Sequence, residues 1–303
     1  MKHLCALAFC AIFAIGFATP AGAATPTASY DVGTIHVDQF GSGKPALVLI
    51  PGLSSGAWVW DGVIAKFSST HTIYAITLAG FDGRPTASAP LMPKAADDIV
   101  RLIADKHVDK PVIIGHSLGG TLAIEIAERH SDLLCGVIAV EGLPVFPGFE
   151  TMTPAQRSAA AAQMAGQISN ATHDQFLSAM KAYVMPGMVT DKATADWVAV
   201  LSAKSDPSAA AQYLLEDASS DTRPELSKIS APVLEIAPFD ATVDGRPPIS
   251  LANAAAKQTY YAALLKNDPT AKVEMIGGYR HFVMYDQPEK LDAAISAFLQ
   301  THP

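Results

Sequence analysis

The pentapeptide GHSLG at positions 115–119 places one serine, Ser117, between two glycines. A serine hydroxyl can attack a carbonyl carbon when a general base takes its proton and an acid orients that base. The chemistry indicated by these residues is acyl transfer. It requires a histidine and a carboxylate from elsewhere in the chain, and elements that bring all three together.

The segments on both sides of Ser117 favour a nucleophile over a turn of small residues. The apolar run PVIIG (111–115) predicts a buried strand, and GTLAIEIAERH (120–130) predicts a helix. Similar apolar runs recur at 46–50, 72–78, 136–140, 232–236 and 272–276. Helical patterns between several of them predict an α/β protein with a mostly parallel sheet and helices on both faces. At the start of the sheet, residues 33–40 and 46–50 are expected to form an antiparallel hairpin.

Strand, G-x-S-x-G turn and helix in this order resemble the nucleophile segment of the α/β-hydrolase fold family. The resemblance covers nearly all of the chain after residue 23. It implies that a strained turn raises the Ser117 hydroxyl above the sheet. It also separates the chain from the haloalkane dehalogenases and epoxide hydrolases of the family, which carry aspartate at this position.

The resemblance further implies an oxyanion hole made of two backbone N–H groups. One belongs to the residue after the nucleophile, which is Leu118. The other comes from the loop after the run at 46–50, which reads Pro51-Gly52-Leu53 and offers the N–H of Leu53. Proline replaces the family's usual histidine at position 51, and the backbone donor is retained.

The family's order of serine, acid and histidine places the base after Ser117. His130 ends the helix after the serine, His173 lies in the interval 146–225, and His302 is the penultimate residue. His281 is the predicted base, because its segment at 272–291 resembles the family's strand, loop and helix around the catalytic histidine. Its ordinary pKa suits proton exchange near neutrality.

Three carboxylates compete for the role of the acid. Asp240 is preferred, because it follows the run at 232–236 at the position where the family's acid usually stands. Asp244 precedes a glycine and is typical of a turn. Glu141 follows the run at 136–140, after which some members of the family carry the acid. Because Pro238 replaces the family's usual glycine near Asp240, all three remain open.

Ser117, His281 and Asp240 together predict hydrolysis through an acyl-enzyme, with no metal and no organic cofactor. A carboxylesterase acting on a small apolar ester is favoured, because the pocket signals are apolar and nothing suggests a charged anchor. A lactonase, carbon–carbon bond hydrolase, aminopeptidase or perhydrolase would use the same three residues. A non-catalytic binding protein of the same fold is the alternative from another class.

Residues 146–225 lack strand-like runs and are predicted to form a helical cap, inserted into a core of residues 24–145 and 226–303. Capping boxes at 153–156 and 172–175 mark two helix starts. Five of the nine methionines lie in this interval: Met152, Met164, Met180, Met185 and Met188. Methionine suits a pocket for varied apolar groups, and it also suits a small core of the cap itself.

Residues 1–23 have the pattern of a secretory signal peptide. Lys2 precedes an apolar run at 4–17, which is too short to span a membrane, and Ala21-Gly22-Ala23 forms a cleavage site. We expect a periplasmic or secreted protein with no membrane span after cleavage. Cleavage removes one lysine and moves the formal net charge from −8 to −9. A chain this acidic is not expected to bind nucleic acid.

Overall fold

The computed structural model describes residues 24–246 and 249–302, so the predicted signal peptide lies outside the described residues. The strands are β1 (Ala28–Val32), β2 (Ile35–Phe40), β3 (Leu47–Ile50), β4 (Ile73–Thr77), β5 (Val112–His116), β6 (Gly136–Val140), β7 (Val233–Phe239) and β8 (Lys272–Gly277). The helices of the first half are α1 (Asp61–Phe67), α2 (Met92–Asp105), α3 (Leu118–His130), α4 (Pro154–Gly166), α5 (His173–Ala179) and α6 (Met185–Met188). The remaining helices are α7 (Lys192–Ser202), α8 (Pro207–Ser219), α9 (Ala241–Asp244), α10 (Ala254–Leu264), α11 (Val283–Asp286) and α12 (Pro288–Thr301).

All eight strands form one sheet in the order β1-β2-β4-β3-β5-β6-β7-β8. The strands from β3 to β8 run parallel, whereas β2 is antiparallel to both of its neighbours. Strands β3 to β6 are buried along their whole length, as expected for a parallel sheet with helices on both faces. The predicted α/β architecture is confirmed, and each of the six apolar runs forms a strand.

The pairing of β2 differs from the expected hairpin. β2 pairs with β1 across a turn that contains Gly33, and on its other side with β4, where His36 lies opposite Thr77. β3 instead lies between β4 and β5. The predicted hairpin between residues 33–40 and 46–50 is therefore wrong. β3 is apolar at every position and is buried inside the sheet, whereas β2 alternates between buried and half-buried residues, which suits a strand near the edge.

Helices α4 to α8 fill the interval between β6 and β7 in which the cap is predicted. Both capping boxes are present, because Thr153 and Thr172 each exchange hydrogen bonds with the glutamine three residues later. An isolated bridge between Val145 and Asp221 joins the two ends of the interval. Glu216 of α8 accepts hydrogen bonds from the first amides of α2, at 2.7–2.9 Å. These contacts attach the interval to the sheet domain, and the cap boundaries at 146 and 225 stay a prediction.

Within residues 24–246 and 249–302, no helix has both the length and the apolar character that a bilayer span requires.

Candidate active site

Ser117 stands in the sharp turn between β5 and α3. Its backbone has φ 52° and ψ −121°, a strained conformation for a residue with a side chain. The flanking glycines leave the space that this turn needs. A Cβ at Gly115 would overlap the carbonyl oxygen of Gly119, and a Cβ at Gly119 would overlap that of Ile50. The two glycines of the pentapeptide thus let the turn pack closely against β3 with Ser117 at its tip.

The two predicted oxyanion donors lie on the same cavity as Ser117. Leu118 is the first residue of α3, so its N–H has no acceptor within the helix. Leu53 lies in a turn closed by a hydrogen bond from the Ser55 amide to the Gly52 carbonyl, 3.1 Å long. Both leucines line the cavity together with Ser117. The structure brings the three residues together, and the role of the two amides stays a prediction.

His281 lies in the loop between β8 and α11 and lines the same cavity. Its Nδ1 is 3.1 Å from Oε2 of Glu141, the residue that follows β6. When Nδ1 is paired with a carboxylate, Nε2 is the nitrogen that can accept a proton from a serine. The structure therefore gives His281 the pairing that a general base requires.

Asp240, the preferred acid, does not contact His281. Its Oδ1 accepts the Thr242 amide at the start of α9, 2.7 Å away, and its Oδ2 is 2.9 Å from Nε of Arg280. Asp244 is bound to Lys257 at 2.8 Å. The expectation that Asp240 pairs with His281 is corrected. The Asp240 carboxylate instead caps α9 and binds Arg280, the residue before the histidine. Glu141 is the candidate that faces the imidazole.

Both oxygens of Glu141 are engaged. Oε2 faces His281, while Oε1 accepts a hydrogen bond from the Tyr261 hydroxyl at 2.8 Å and lies 2.9 Å from Nζ of Lys257. Burial alone would raise the pKa of Glu141, but Lys257 and then His281 outweigh it and hold the pKa at about 2. Lys257 also bridges to Asp244, and these two carboxylates raise its pKa although burial opposes them. Glu141 is consequently ionised across the neutral range.

The sequence does not predict three side chains that hold this arrangement. Lys257 and Tyr261 lie four residues apart on α10, so that they share one face of the helix, and this spacing is the signal that could have revealed them. His116, the variable residue of the pentapeptide, donates from Nε2 to the backbone carbonyl of His281 at 3.1 Å. Burial and then His281 lower the pKa of His116 well below its usual value. His116 is therefore a neutral ring that supports the histidine loop.

The histidine loop is also bonded to the cap interval. Nη1 of Arg280 donates to the carbonyls of Pro186 and Val189, at 2.7 and 3.1 Å. The backbone amide of Phe282 donates to the carbonyl of Met188 at 3.0 Å. The residues on both sides of His281 are thus hydrogen-bonded to α6 and the residue that follows it.

The cavity over Ser117 and His281 has a volume of about 520 Å³. Four of the five cap methionines and three phenylalanines line it: Met164, Met180, Met185, Met188, Phe146, Phe176 and Phe282. Met152 is not among the residues that line it. The suggestion that these methionines form a pocket wall is supported for four of them. In the described part of the chain, no group of three or more His, Cys, Asp or Glu side chains is placed to hold a metal ion.

Known sequences resemble this chain over much of its length. A model of the alpha/beta hydrolase family matches residues 47–294. The pimeloyl-acyl-carrier-protein methyl ester esterase of Edwardsiella ictaluri is 27% identical over 266 residues, which cover 85% of this chain and 94% of that esterase. The same esterase of Aeromonas hydrophila is 29% identical over 116 residues. That match spans 37% of this chain and only 43% of the length of the relative.

Solved structures resemble the fold over most of the chain. An enol-lactonase from Burkholderia xenovorans superposes with a TM-score of 0.72 at 17% identity, covering 90% of this chain and all of that one (100%). A hydrolase from Pseudomonas aeruginosa has a TM-score of 0.71 at 14% identity, covering 88% of this chain and 94% of that one. At such identities the likeness concerns the fold.

Proposed function

Because the chain belongs to the alpha/beta hydrolase family, we propose that it is a serine hydrolase that cleaves carboxylic esters through Ser117, His281 and Glu141. The observation that carries the proposal is the contact between His281 and Glu141 on a cavity that also holds Ser117 on its strained turn. The methyl ester esterase of Edwardsiella ictaluri matches over most of this chain, which supports an ester as substrate.

In the proposed reaction, Oγ of Ser117 attacks the ester carbonyl while Nε2 of His281 accepts its proton. The amides of Leu53 and Leu118 stabilise the negative oxygen that develops. His281 then protonates the leaving alcohol, and the acyl group remains on Ser117. A water molecule deprotonated by His281 releases the acid and restores the serine. Glu141 stays ionised throughout and stabilises the imidazolium.

The cavity supports an apolar acyl or alcohol group, because methionine and aromatic side chains form much of its wall. The signal pattern at residues 1–23 supports a site of action in the periplasm or outside the cell. The intact mass of exported protein tests the location: a chain beginning at Ala24 is expected, and one that retains Lys2 would contradict export with cleavage.

The nucleophile is tested with a fluorophosphonate label and a series of p-nitrophenyl esters. Ser117→Ala is expected to lose both labelling and turnover, the latter by several orders of magnitude. Ser158→Ala, an exposed serine of α4 outside the cavity, is the matched control and should behave as the parent. Turnover by Ser117→Ala within tenfold of the parent would refute the proposal. Including lactones in the series separates an esterase from a lactonase.

A further inference from the structure

The cavity contains one acidic side chain that the proposed reaction does not use. Asp217 lies on α8 of the cap interval, is half-buried, and lines the cavity together with Ser117. The other carboxylate of the wall, Glu141, is matched by Lys257. Within the described residues, no lysine or arginine lines this cavity. Asp217 is thus a carboxyl group on an apolar wall with no cation beside it in the cavity.

Asp217 is linked to the Ser117 region through Thr121 of α3. Thr121 follows Ser117 by one helical turn, about 5.4 Å of rise, and its amide donates to the Ser117 carbonyl at 3.0 Å. The Thr121 side chain is the hydrogen-bond partner of Asp217. That hydroxyl has a single proton, and it donates to the Leu143 carbonyl at 3.1 Å. The Thr121 hydroxyl, which lowers the pKa of Asp217, is thus shared between the carboxylate and the Leu143 carbonyl, and a bound cation can give the ionised Asp217 a stronger partner.

The charges around Asp217 favour a cation as that molecule. Burial and then the carboxylate of Glu125, on α3, raise the pKa of Asp217 to about 7. Burial raises the pKa of Glu125, and the nearby Arg129 lowers it. Arg129 does not line the cavity. A positive group beside Asp217 favours its ionised form and compensates the local negative charge.

Building on the ester hydrolysis proposed above, we propose that Asp217 binds an alkylated ammonium group carried by the substrate, a short chain away from the ester carbonyl. Alkyl groups on the nitrogen suit the methionine-lined wall better than a strongly hydrated primary amine does. Phe146 and Phe176 also line the cavity, and aromatic faces attract quaternary ammonium groups. The expectation that the pocket has no charged anchor changes accordingly.

Two p-nitrophenyl esters of equal shape test the proposal. The 4-(trimethylammonio)butanoate carries the cation, and the 5,5-dimethylhexanoate replaces nitrogen by carbon. The parent should prefer the cationic ester by at least tenfold in kcat/KM, and Asp217→Asn should remove that preference. Asp196→Asn, which removes a half-exposed carboxylate of α7, controls for net charge and should keep the preference. Asp217→Ser is the second variant if Asp217→Asn does not fold.

The pH dependence gives an independent readout. Asp217 accepts a proton as the pH falls through about 7, so the preference for the cationic ester should shrink below that pH. Protonation of a group that acts in the hydrolysis itself affects both esters alike and cancels in the ratio. In Asp217→Asn the ratio should not change with pH over the same range. A ratio that falls equally in parent and variant would overturn the proposal.

Calorimetry with the two corresponding amides separates this proposal from the proposed hydrolysis. If Ser117 is not labelled and no ester is cleaved, ester hydrolysis fails, while tighter binding of the cationic amide that depends on Asp217 still supports the ammonium site. If Ser117 is the nucleophile but parent and Asp217→Asn treat the two members of each pair alike, the ammonium site is refuted and the hydrolase stands.

Discussion

Glu141 and Asp240 differ in what their carboxylates contact. Glu141 has a backbone φ of 58° at the end of β6 and places one oxygen on His281, whereas Asp240 caps α9 and binds Arg280. A carboxylate beside the catalytic imidazole fixes its tautomer and stabilises its charged form. One that is bound to a neighbouring arginine cannot do so. The acid function should therefore follow the contact with His281.

We expect Glu141→Gln to lower kcat/KM by about 10³- to 10⁴-fold, the scale of loss caused by replacing a triad carboxylate with its amide. Asp240→Asn should stay within about tenfold of the parent, a barrier change of about 1.4 kcal/mol. Steady-state kinetics on one p-nitrophenyl ester, together with the unfolding midpoints, measure both. A crippled Asp240→Asn beside an active Glu141→Gln would reverse the assignment.

Lys257 should act on the reaction through Glu141. Without its positive charge, only His281 offsets the burial of Glu141, and the pKa of Glu141 rises. A protonated Glu141 cannot stabilise the imidazolium, so Lys257→Met should lose activity on the acidic side, at a higher pH than the parent. The pH profile of kcat/KM measures this shift. Lys257→Arg keeps the charge and should restore the parent profile, whereas an unshifted profile in Lys257→Met would show that the lysine only fills space.

The elements of the sheet could be predicted from the sequence because each strand is a continuous apolar run. The strained turn at Ser117 could be predicted because its motif is local, with both glycines within two residues of Ser117. Two features depend on contacts between distant segments. The strand that pairs with β2 depends on the order of strands in the whole sheet. The carboxylate that pairs with His281 depends on the backbone conformation at Glu141 and on the binding of Asp240 to Arg280. Asp217 also carries no local signal on its helix.

The helical interval between β6 and β7 should control acyl preference. Met180 is buried and lines the cavity, so Met180→Ala should enlarge the cavity. We expect the ratio of kcat/KM for long over short acyl p-nitrophenyl esters to rise by about tenfold, the low end of the effect of one methylene group in an apolar pocket. Met152→Ala, outside the cavity wall, is the control. Equal losses on all chain lengths would indicate a purely structural methionine.

For the whole molecule, the central sheet contains a carboxyl group whose titration is coupled to folding. Glu235 of β7 is fully buried, and burial and then Glu141 raise its pKa well above the ordinary 4.5. The folded state keeps this proton above pH 4.5, whereas the unfolded chain releases it. The contribution of Glu235 to stability therefore falls as the pH rises, by up to about 1.4 kcal/mol per pH unit.

Glu235→Gln removes this titration and keeps the shape of the side chain. Urea unfolding at pH 5 and pH 8 should show a smaller loss of stability between the two conditions in the variant than in the parent. Other buried carboxyl groups titrate in both proteins, so the difference between the two proteins isolates Glu235. Identical pH dependences would mean that Glu235 is ionised in the folded protein.

The hydrogen bonds from Arg280 and Phe282 to the segment around α6 link the His281 loop to the cavity wall. Any displacement of that segment pulls on the loop that carries His281. In the proposed reaction, opening the cavity at this segment to release the product should also move His281 away from Ser117, so that chemistry and product release should alternate. Amide hydrogen exchange at residues 186–190 and 279–282 should slow together when a phosphonate occupies Ser117, and changes confined to one segment would contradict the linkage. We therefore expect the protein to be inactive while the segment around α6 is displaced from the cavity.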